Sequence, residues 1–593
     1  MPARAFFIGT VRHLTIIGDS VKRLRLSRVT SVVLIAALTA GPLAAQQPAP
    51  KPSPKAGQQQ PADLQPLTER IDVRVIGVDV VVTDKKGNAV TGLTKDDFQI
   101  FENGVEKPIS NFSEIEGKAV AQSVVVPPAG APAPPPVPKE EVNEQLRRRI
   151  IFYIDNLSLA PFNRNRVFKL MKEFCKDVMR PGDEAMVATY NRSLKVRVPF
   201  TRDVVQIQQT LDAIAGESGM GIANRSEAKD AMSRINDATS YDEALATARS
   251  YASSVEHDLR QSTESINGLL TTLAGVEGKK ILVLTTEGFQ IQPGREVFTM
   301  IDEVAREKNW QSSAMLEAMG YNGSTLIESI ARTANANGIT LYAIHAGGLA
   351  AGSEGTSADN QQAISYNVTS AALTNTTESL QMLAELTGGL ATTRSNNFAG
   401  AFKNIVRDLD SYYSLGYRAG TERVDRQRAL EVRVKNKALS VRNRQTFVEK
   451  STFQEMSDRV IANLLYKTKA NDLGVRVKVN QPIAADDLFK VPVEVQIPLD
   501  NLTLLQQGEA HMGGFSIYVV VGNKDGDMSE VARKSHQIMI PVADYAKAKG
   551  KYYTYTLDLM CERGLNKISI GVVDDVTNVT GFDRQQVIAQ DLR

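Results

Sequence analysis

Between residues 149 and 447, apolar strand segments alternate with amphipathic helical segments, and this alternation constrains the fold more than any other feature of the chain. The runs RRIIFYID, KKILVLTTEG and GITLYAIHAGG are apolar segments of strand length, whereas RVFKLMKEFCKDVM has helical apolar spacing. Continuous apolar strands are typical of sheets that are buried on both faces. The pattern therefore predicts an α/β fold with a doubly wound, mostly parallel sheet that carries helices on both faces.

A helical insertion is predicted at about residues 216–275. From Leu245 to Leu273 the apolar positions follow a 3–4 spacing for about four heptads. A shorter stripe precedes this long one, with Ser226 as its expected N-cap. A helical hairpin and a plain surface helix packed on its own sheet are both compatible with this pattern. The Gly-, Ser-, Asn- and Thr-rich segment 346–376 is predicted to be a long surface loop.

Proline-rich linkers separate this domain from the N-terminal part of the chain. Fourteen of the 24 prolines lie in two short segments, and residues 46–68 and 118–148 are therefore predicted to be extended linkers. Between them, alternating apolar residues predict a small β module at 69–117.

The C-terminal part of the chain returns to short strands. A connecting helix is predicted at 448–470 because QEMSDRVIANLLYK has helical apolar spacing. Runs such as VPVEVQI, FSIYVVVG and NKISIGVVDD follow, with turn signals between them. They predict a β-sandwich-like domain at 471–593.

The N-terminus has the organisation of a secretory signal peptide. A basic stretch precedes the short apolar run SVVLIAALTAGPLAA, and cleavage is expected after Ala45. This run is shorter than the roughly 20 residues that a membrane span needs. A signal peptide at 1–45 predicts a secreted or periplasmic protein with no stable membrane span after cleavage. An uncleaved anchor and a translation start near Val21 are the alternatives.

Charge and composition exclude several function classes. The chain has 69 basic and 67 acidic residues, and removal of residues 1–45 changes the net charge from +2 to −3. That balance argues against a nucleic-acid-binding protein. The two cysteines are too few for a disulfide scaffold, and the five histidines show no zinc-ligand spacing.

A family resemblance extends over roughly residues 70–447. Its segments, in order, include VVVTDKKGNAVTGLTKDDFQIFENG, RIIFYIDNL, RPGDEAMVAT, KKILVLTTEGF and YYSLGYRAG. The chain resembles the VWFA-related proteins of the acidobacterial type, which contain a von Willebrand factor type A fold. The resemblance implies an A-like domain at 149–447 and an exported, non-catalytic protein. The domain architecture favours an unknown protein partner at the cell envelope or outside the cell.

The same resemblance points to a metal site at one edge of the sheet. Many A domains hold a divalent cation with Asp-x-Ser-x-Ser after the first strand, a threonine from a neighbouring loop and an aspartate after the fourth strand. In this chain the matching positions are Asp155, Ser158 (one residue out of step), Thr263 and Glu287. Leucines occupy both serine positions of the motif, and Mg²⁺ demands near-octahedral oxygen ligands. A degenerate site is therefore expected, with no cofactor or, at most, Mg²⁺ or Mn²⁺.

Three functions remain open at the level of sequence. The first is a protein-binding or scaffolding protein, since the chain contains no nucleophile elbow and no phosphate-binding glycine loop. The second is a Mg²⁺- or Mn²⁺-dependent adhesin that uses Asp155, Ser158 and Glu287. The third is a cell-envelope hydrolase with Asp155 and Glu287 as its acid/base pair. His345, at the end of a predicted strand, is interpreted as a turn or packing residue.

Overall fold

The described part of the chain is a mixed α/β protein. The structure, a computed structural model, describes residues 75–116, 147–349, 364–418, 424–468 and 470–590, which contain 11 α-helices and 23 strands. The predicted signal peptide, the first linker and residues 118–146 of the second linker lie outside the described residues. No described helix combines the length and apolar character needed to cross a lipid bilayer.

Ten strands precede the last third of the chain. The first four are β1 (Val75–Thr83), β2 (Phe98–Glu102), β3 (Val105–Lys107) and β4 (Ile109–Glu116). The next six form the central sheet: β5 (Arg148–Asp155), β6 (Glu184–Tyr190), β7 (Leu194–Thr201), β8 (Lys279–Thr286), β9 (Ile339–His345) and β10 (Ala391–Thr392). Their order is β10-β9-β8-β5-β6-β7, and β7 runs antiparallel to β6 while the other pairs are parallel.

The central strands are buried on both faces. Ile150, Phe152 and Ile154 of β5 belong to one apolar core, and Ile151 and Tyr153 belong to another. Successive side chains of a strand point to opposite faces, so a strand between two cores needs apolar residues at every position. This requirement explains the unbroken apolar runs of the sequence.

Nine helices accompany this sheet. They are α1 (Pro161–Asp177), α2 (Val204–Ala215), α3 (Gly221–Asp237), α4 (Tyr241–Thr272), α5 (Arg295–Glu307), α6 (Ala314–Ala318), α7 (Ser324–Ala336), α8 (Tyr366–Thr387) and α9 (Phe398–Asp410). Helices α1, α2 and α9 supply side chains to the core on one face of the sheet, and α4, α7 and α8 supply the core on the other.

The predicted helical insertion is a pair of helices, α3 and α4, that packs within the chain. Leu245 and Ala248 of α4 pack in a cluster with α3 and α5, whereas Leu259 and Ile266 face the central sheet. The expected N-cap was wrong, because α3 begins at Gly221 and Ser226 lies inside it. The Ser226 hydroxyl donates to the carbonyl of Ile222 at 3.1 Å.

The predicted surface loop at 346–376 was too long, because α8 begins at Tyr366. Ser365 caps this helix by accepting a hydrogen bond from the amide of Val368 at 3.3 Å. Asn375 is buried and binds the 290–292 segment, with its Nδ2 donating to the carbonyl of Gln292 at 2.8 Å. A polar sequence is helical here because its amides and hydroxyls have partners within the fold.

The strands of the predicted N-terminal β module pair with a distant part of the chain. After α9 come β11 (Ser411–Arg418), β12 (Gln427–Val434), β13 (Ser440–Arg442) and β14 (Thr446–Val448). Together with the first four strands, they form two four-stranded sheets, ordered β13-β1-β11-β4 and β14-β12-β2-β3. The structure thus differs from the predicted boundaries of 69–117 and 149–447. The physical reason is burial: the apolar faces of β1 and β2 form one core with Tyr413, Leu415 and Leu430.

The C-terminal part has one helix, α10 (Thr452–Tyr466), followed by two antiparallel sheets around a shared apolar core. Its strands are β15 (Arg476–Val479), β16 (Ile483–Ala485), β17 (Leu488–Pro498), β18 (Leu505–Gln507), β19 (Ala510–Gly522), β20 (Ala532–Pro541), β21 (Tyr552–Cys561), β22 (Gly564–Asp574) and β23 (Thr580–Ala589), with α11 (Val542–Ala548) after β20. Helix α10 packs against the central sheet and against the C-terminal sheets. Ala462 lies in the core under the central sheet, and Val460 lies in a cluster with Tyr518 of β19.

Candidate functional site

Asp155 is the last residue of β5 and lies at the carboxyl edge of the central sheet. Its side chain is buried, and Oδ2 accepts hydrogen bonds from the Ser158 hydroxyl at 2.7 Å and the Thr286 hydroxyl at 2.8 Å. Burial raises the pKa of Asp155, and these two hydroxyl donors oppose the rise. The carboxylate therefore joins the end of β5 to the end of β8.

Thr286 was missed by the sequence analysis. Its hydroxyl lies 2.9 Å from that of Ser158, and the Ser158 hydroxyl also accepts the amide hydrogen of Glu287 at 3.0 Å. Thr286 directly precedes Glu287 in the TTEG run, but only Glu287 was predicted to be a ligand. Ser158, although out of step with the family motif, thus lies beside Asp155.

Glu287 follows β8 directly and is bound by three different groups. Its Oε1 accepts the amide hydrogen of Ala160 at 2.9 Å and a hydrogen of Asn163 Nδ2 at 3.1 Å. Arg225 Nη2 lies 3.1 Å from Oε1 and 2.9 Å from Oε2. Both carboxylate oxygens are therefore held by hydrogen donors from α1 and α3. Arg225 lies in the helical insertion, and no sequence pattern indicated that it would bind Glu287.

The start of α3 is docked on the loop that carries Ser158. The amide of Met220 donates to the carbonyl of Asn156 at 2.9 Å, and Asn224 Nδ2 donates to the carbonyl of Leu157 at 2.9 Å. A Cβ on Gly221 would lie 2.3 Å from the carbonyl oxygen of Ser158. Because only a glycine permits this approach, the docking determines where α3 begins and brings Arg225 to Glu287.

Thr263 is not part of this arrangement. It lies on α4 and is buried, and its hydroxyl has no hydrogen-bond partner within the described residues. The structure thus brings together Asp155, Ser158 and Glu287 and adds Thr286 and Arg225. Within the described residues, the Thr263 hydroxyl forms no hydrogen bond with any of them.

The donor set does not fit a divalent cation well. Mg²⁺ requires several free oxygens in near-octahedral geometry, but the oxygens of Asp155 and Glu287 already accept hydrogen bonds from protein groups. Leu157 and Leu159, at the serine positions of the family motif, are buried in the two apolar cores. The Arg225 guanidinium supplies positive charge at Glu287, where a metal ion would otherwise balance the carboxylate.

His345 ends β9 at the same edge of the sheet. It is buried, and burial lowers its pKa to about 4, assisted by the positive charges of Arg225 and Arg394. A neutral histidine packed in this position agrees with a structural role.

Three large apolar side chains stand exposed at this edge. Phe162 is 75% exposed, Ile222 60% and Leu349 64%. Ile222 follows the docked Gly221, and the Arg166 guanidinium lies 5.5 Å from the Phe162 ring while donating to the carbonyl of Ala346 at 3.0 Å. We call Phe162, Ile222 and Leu349 the apolar rim.

No family model matches the chain, and no curated protein matches it. Among the solved structures similar to it is an aerotolerance-related membrane protein from Bacteroides fragilis, with 11% identity over 44% of this chain and 98% of that chain and a TM-score of 0.23. BatB from Bacteroides thetaiotaomicron has 11% identity over 44% and 97%, with a TM-score of 0.21. The vWF domain of the type V pili tip protein Mfa5 from Porphyromonas gingivalis has 12% identity over 44% and 95%, with a TM-score of 0.21. Similarity at this level carries no argument about function, which has to rest on the site.

Proposed function

We propose that the protein is an exported, non-catalytic binding or scaffolding protein that engages another protein through the carboxyl edge of its central sheet. In this proposal the unit around the sheet is a doubly wound von Willebrand factor A-like domain, and the two C-terminal sheets form a β-sandwich. The order of the parallel strands and the helices on both faces support the first assignment, and the shared core supports the second.

The observation that carries the proposal is the apolar rim on a braced scaffold. Exposed apolar side chains grouped at one site are typical of interaction surfaces. The loops beneath this rim are held by Asp155, by Glu287 with Arg225, and by the docked start of α3. In this role the carboxylates fix the loops and take no part in acid/base chemistry. Because the loops are already held in place, binding would cost little conformational entropy.

Photo-crosslinking tests this surface. A photoreactive phenylalanine analogue is placed in turn at Phe162, Ile222 and Leu349, with Ile588 on β23 as a control that is 59% exposed. In cells of the native host, we expect the three rim positions to give an adduct of the same mass and the control to give none. The adducts should persist in EDTA, because Arg225 and not a metal ion holds Glu287. Absence of a common adduct would contradict the proposal.

The main alternative is a Mg²⁺- or Mn²⁺-dependent adhesin that uses Asp155, Ser158 and Glu287. It predicts that millimolar Mn²⁺ stabilises the fold, by about 2.7 kcal/mol at 100 times the dissociation constant. We expect no change in the unfolding midpoint of the wild type, because the carboxylate oxygens are occupied by protein donors. A rise that Asp155→Ala abolishes, together with loss of the rim adducts in EDTA, would replace our proposal with the adhesin. A hydrolase would require turnover that Glu287→Gln abolishes.

A further inference from the structure

Arg166 of α1 lies beside the apolar rim and is held there by two aromatic rings. Its guanidinium carbon lies 5.5 Å from the centre of the Phe162 ring and 5.4 Å from the centre of the Phe398 ring. Nη2 donates to the carbonyl of Ala346 at 3.0 Å and to Oδ1 of Asn163 at 3.3 Å. The guanidinium is therefore held in place by contacts within the chain.

Leu349 of the apolar rim is close to the same guanidinium. A Cβ on the preceding residue, Gly348, would lie 3.4 Å from Arg166 Nη2. The amide of Leu349 donates to Oδ1 of Asn396 at 3.2 Å, and this oxygen also lies next to Gly348. Phe162 and Leu349 are 75% and 64% exposed. Two exposed apolar side chains thus belong to residues next to the guanidinium.

The charge of Arg166 has no carboxylate partner within the described part of the chain. Both of its hydrogen bonds there come from Nη2, and both acceptors are neutral oxygens. Nη1 forms no hydrogen bond with the described residues and, unlike Nε, is not buried. The hydrogens of Nη1 are therefore free to bind an acceptor from outside.

Glu287 does not balance this charge. Asn163 lies between the two groups, with Nδ2 donating to Glu287 Oε1 at 3.1 Å and Oδ1 accepting from Arg166. Arg225 already pairs with Glu287 at 2.9 Å. On α1 no acidic residue precedes Glu173, about two helical turns after Arg166. The guanidinium thus keeps a positive charge that a carboxylate from another protein would compensate.

We propose that Arg166 binds a carboxylate of the protein partner, the side chain of an aspartate or glutamate that has apolar neighbours. The carboxylate would accept hydrogen bonds from Nη1, and the apolar neighbours would contact Phe162 and Leu349. Arginine and aromatic residues are enriched in the centres of protein interfaces. This inference rests on the proposed function, because it names the chemistry of the partner that the apolar rim engages.

A carboxylate fits this position better than a phosphate or a metal ion does. Phosphorylated segments are recognised by clusters of arginines, whereas the exposed ring of Phe162 lies against this guanidinium. A metal ion is repelled by the positive charge of Arg166. The partner's carboxylate would therefore bind the protein directly, and chelators should not affect the contact.

Calorimetric titration of the full chain with two capped tripeptides tests the inference. Acetyl-Leu-Asp-Leu amide presents a carboxylate between apolar side chains, and acetyl-Leu-Asn-Leu amide has nearly the same shape without the charge. We expect the wild type to bind the aspartate peptide about tenfold more tightly, because hydrogen bonds between charged groups are the stronger ones. Arg166→Gln should abolish this preference, so that the two peptides bind equally. EDTA should leave the preference of the wild type unchanged.

Arg332→Gln is the matched control. Arg332 lies on α7, its side chain is 45% exposed, and it pairs with Glu328 at 3.4 Å, so its loss should leave the preference unchanged. If Arg166 were only structural, Arg166→Gln would weaken both peptides equally and preserve the preference, and that result would overturn the inference. Absence of saturable binding of the aspartate peptide to the wild type at about 10 mM, taken as the weak limit of specific recognition, would overturn it as well.

Photo-crosslinking from Ile222 separates this inference from the proposed function. With the photoreactive analogue at that rim position, Arg166→Gln should lower the yield of the common adduct severalfold, and Arg332→Gln should not. Equal yields in the two variants would overturn the role of Arg166 and leave the proposed function intact. If the wild type gives no common adduct, the proposed function fails, and the peptide preference still decides whether Arg166 binds carboxylates.

Discussion

Replacing Asp408 with alanine should lower the free energy of unfolding by about 3–5 kcal/mol, the cost of removing one partner from a buried ionic network. Asp408 of α9 is 1% exposed, and Oδ2 accepts hydrogen bonds from Arg442 Nη2 at 2.7 Å and the Tyr342 hydroxyl at 3.0 Å. Its Oδ1 accepts hydrogen bonds from Arg407 at 2.9 and 3.0 Å. The substitution would remove one acceptor from each of two guanidinium groups and the acceptor of the buried Tyr342 hydroxyl.

The effect should be large because Asp408 joins three parts of the fold. Tyr342 belongs to β9 of the central sheet, and Arg442 belongs to β13 of the sheet that also contains β1. Urea unfolding of the full chain measures the change. Asp212→Ala is the matched control, since Asp212 pairs with Lys172 but its side chain is 61% exposed, and such pairs contribute about 0–1 kcal/mol. Equal effects of the two substitutions would contradict the assigned role of Asp408.

Gly221→Ala should detach the start of α3 from the loop that carries Ser158. The new Cβ would lie 2.3 Å from the Ser158 carbonyl oxygen and 2.5 Å from the Leu159 carbonyl carbon. Both neighbours are backbone atoms, so the main chain has to move, and we expect a loss of stability of about 3 kcal/mol. Hydrogen–deuterium exchange should show faster exchange at the amide of Met220, which donates to the carbonyl of Asn156.

Gly268→Ala is the control for this substitution and should have the opposite sign. Gly268 lies inside α4, and a Cβ there would meet nothing within 4 Å. Alanine is a better helix former than glycine, so this variant should be more stable by about 0.5–1 kcal/mol. If both alanine variants are as stable as the wild type, α3 is not docked tightly on the 156–160 loop.

The assembly of the site could be predicted only in part. Asp155 and Glu287 lie at the same edge because Asp155 ends β5 and Glu287 follows β8, and these neighbouring parallel strands have their carboxyl ends at one edge. Ser158 lies beside them because it is three residues after Asp155. Arg225 reaches Glu287 from 62 positions earlier in the chain. No local pattern indicates this contact, which depends on the close approach of Gly221 to the Ser158 carbonyl.

The pairing of the β strands, like the assembly of the site, could be predicted only in part. Apolar alternation indicated β1 as a strand, but not its neighbours, which are β11 and β13, both more than 300 residues later. A strand with apolar residues on one face can pair with any strand of similar pattern that the fold places beside it. The pairing of β1 with β11 therefore depends on where α9 ends, because β11 follows that helix directly.

Strands and helices with clear apolar periodicity in the α/β unit could be predicted from the sequence, because a period of about 2 or 3.6 residues indicates which faces are buried. The polar start of α8 could not be predicted in this way. The family resemblance led us to expect two acidic residues and a serine at one edge of the sheet. The contacts of those residues depend on the packing of distant parts of the chain. Hydrogen donors from α1 and α3 hold Glu287, and hydroxyls hold Asp155. Such pairings follow from distances between elements far apart in the chain, and only the packed fold sets those distances.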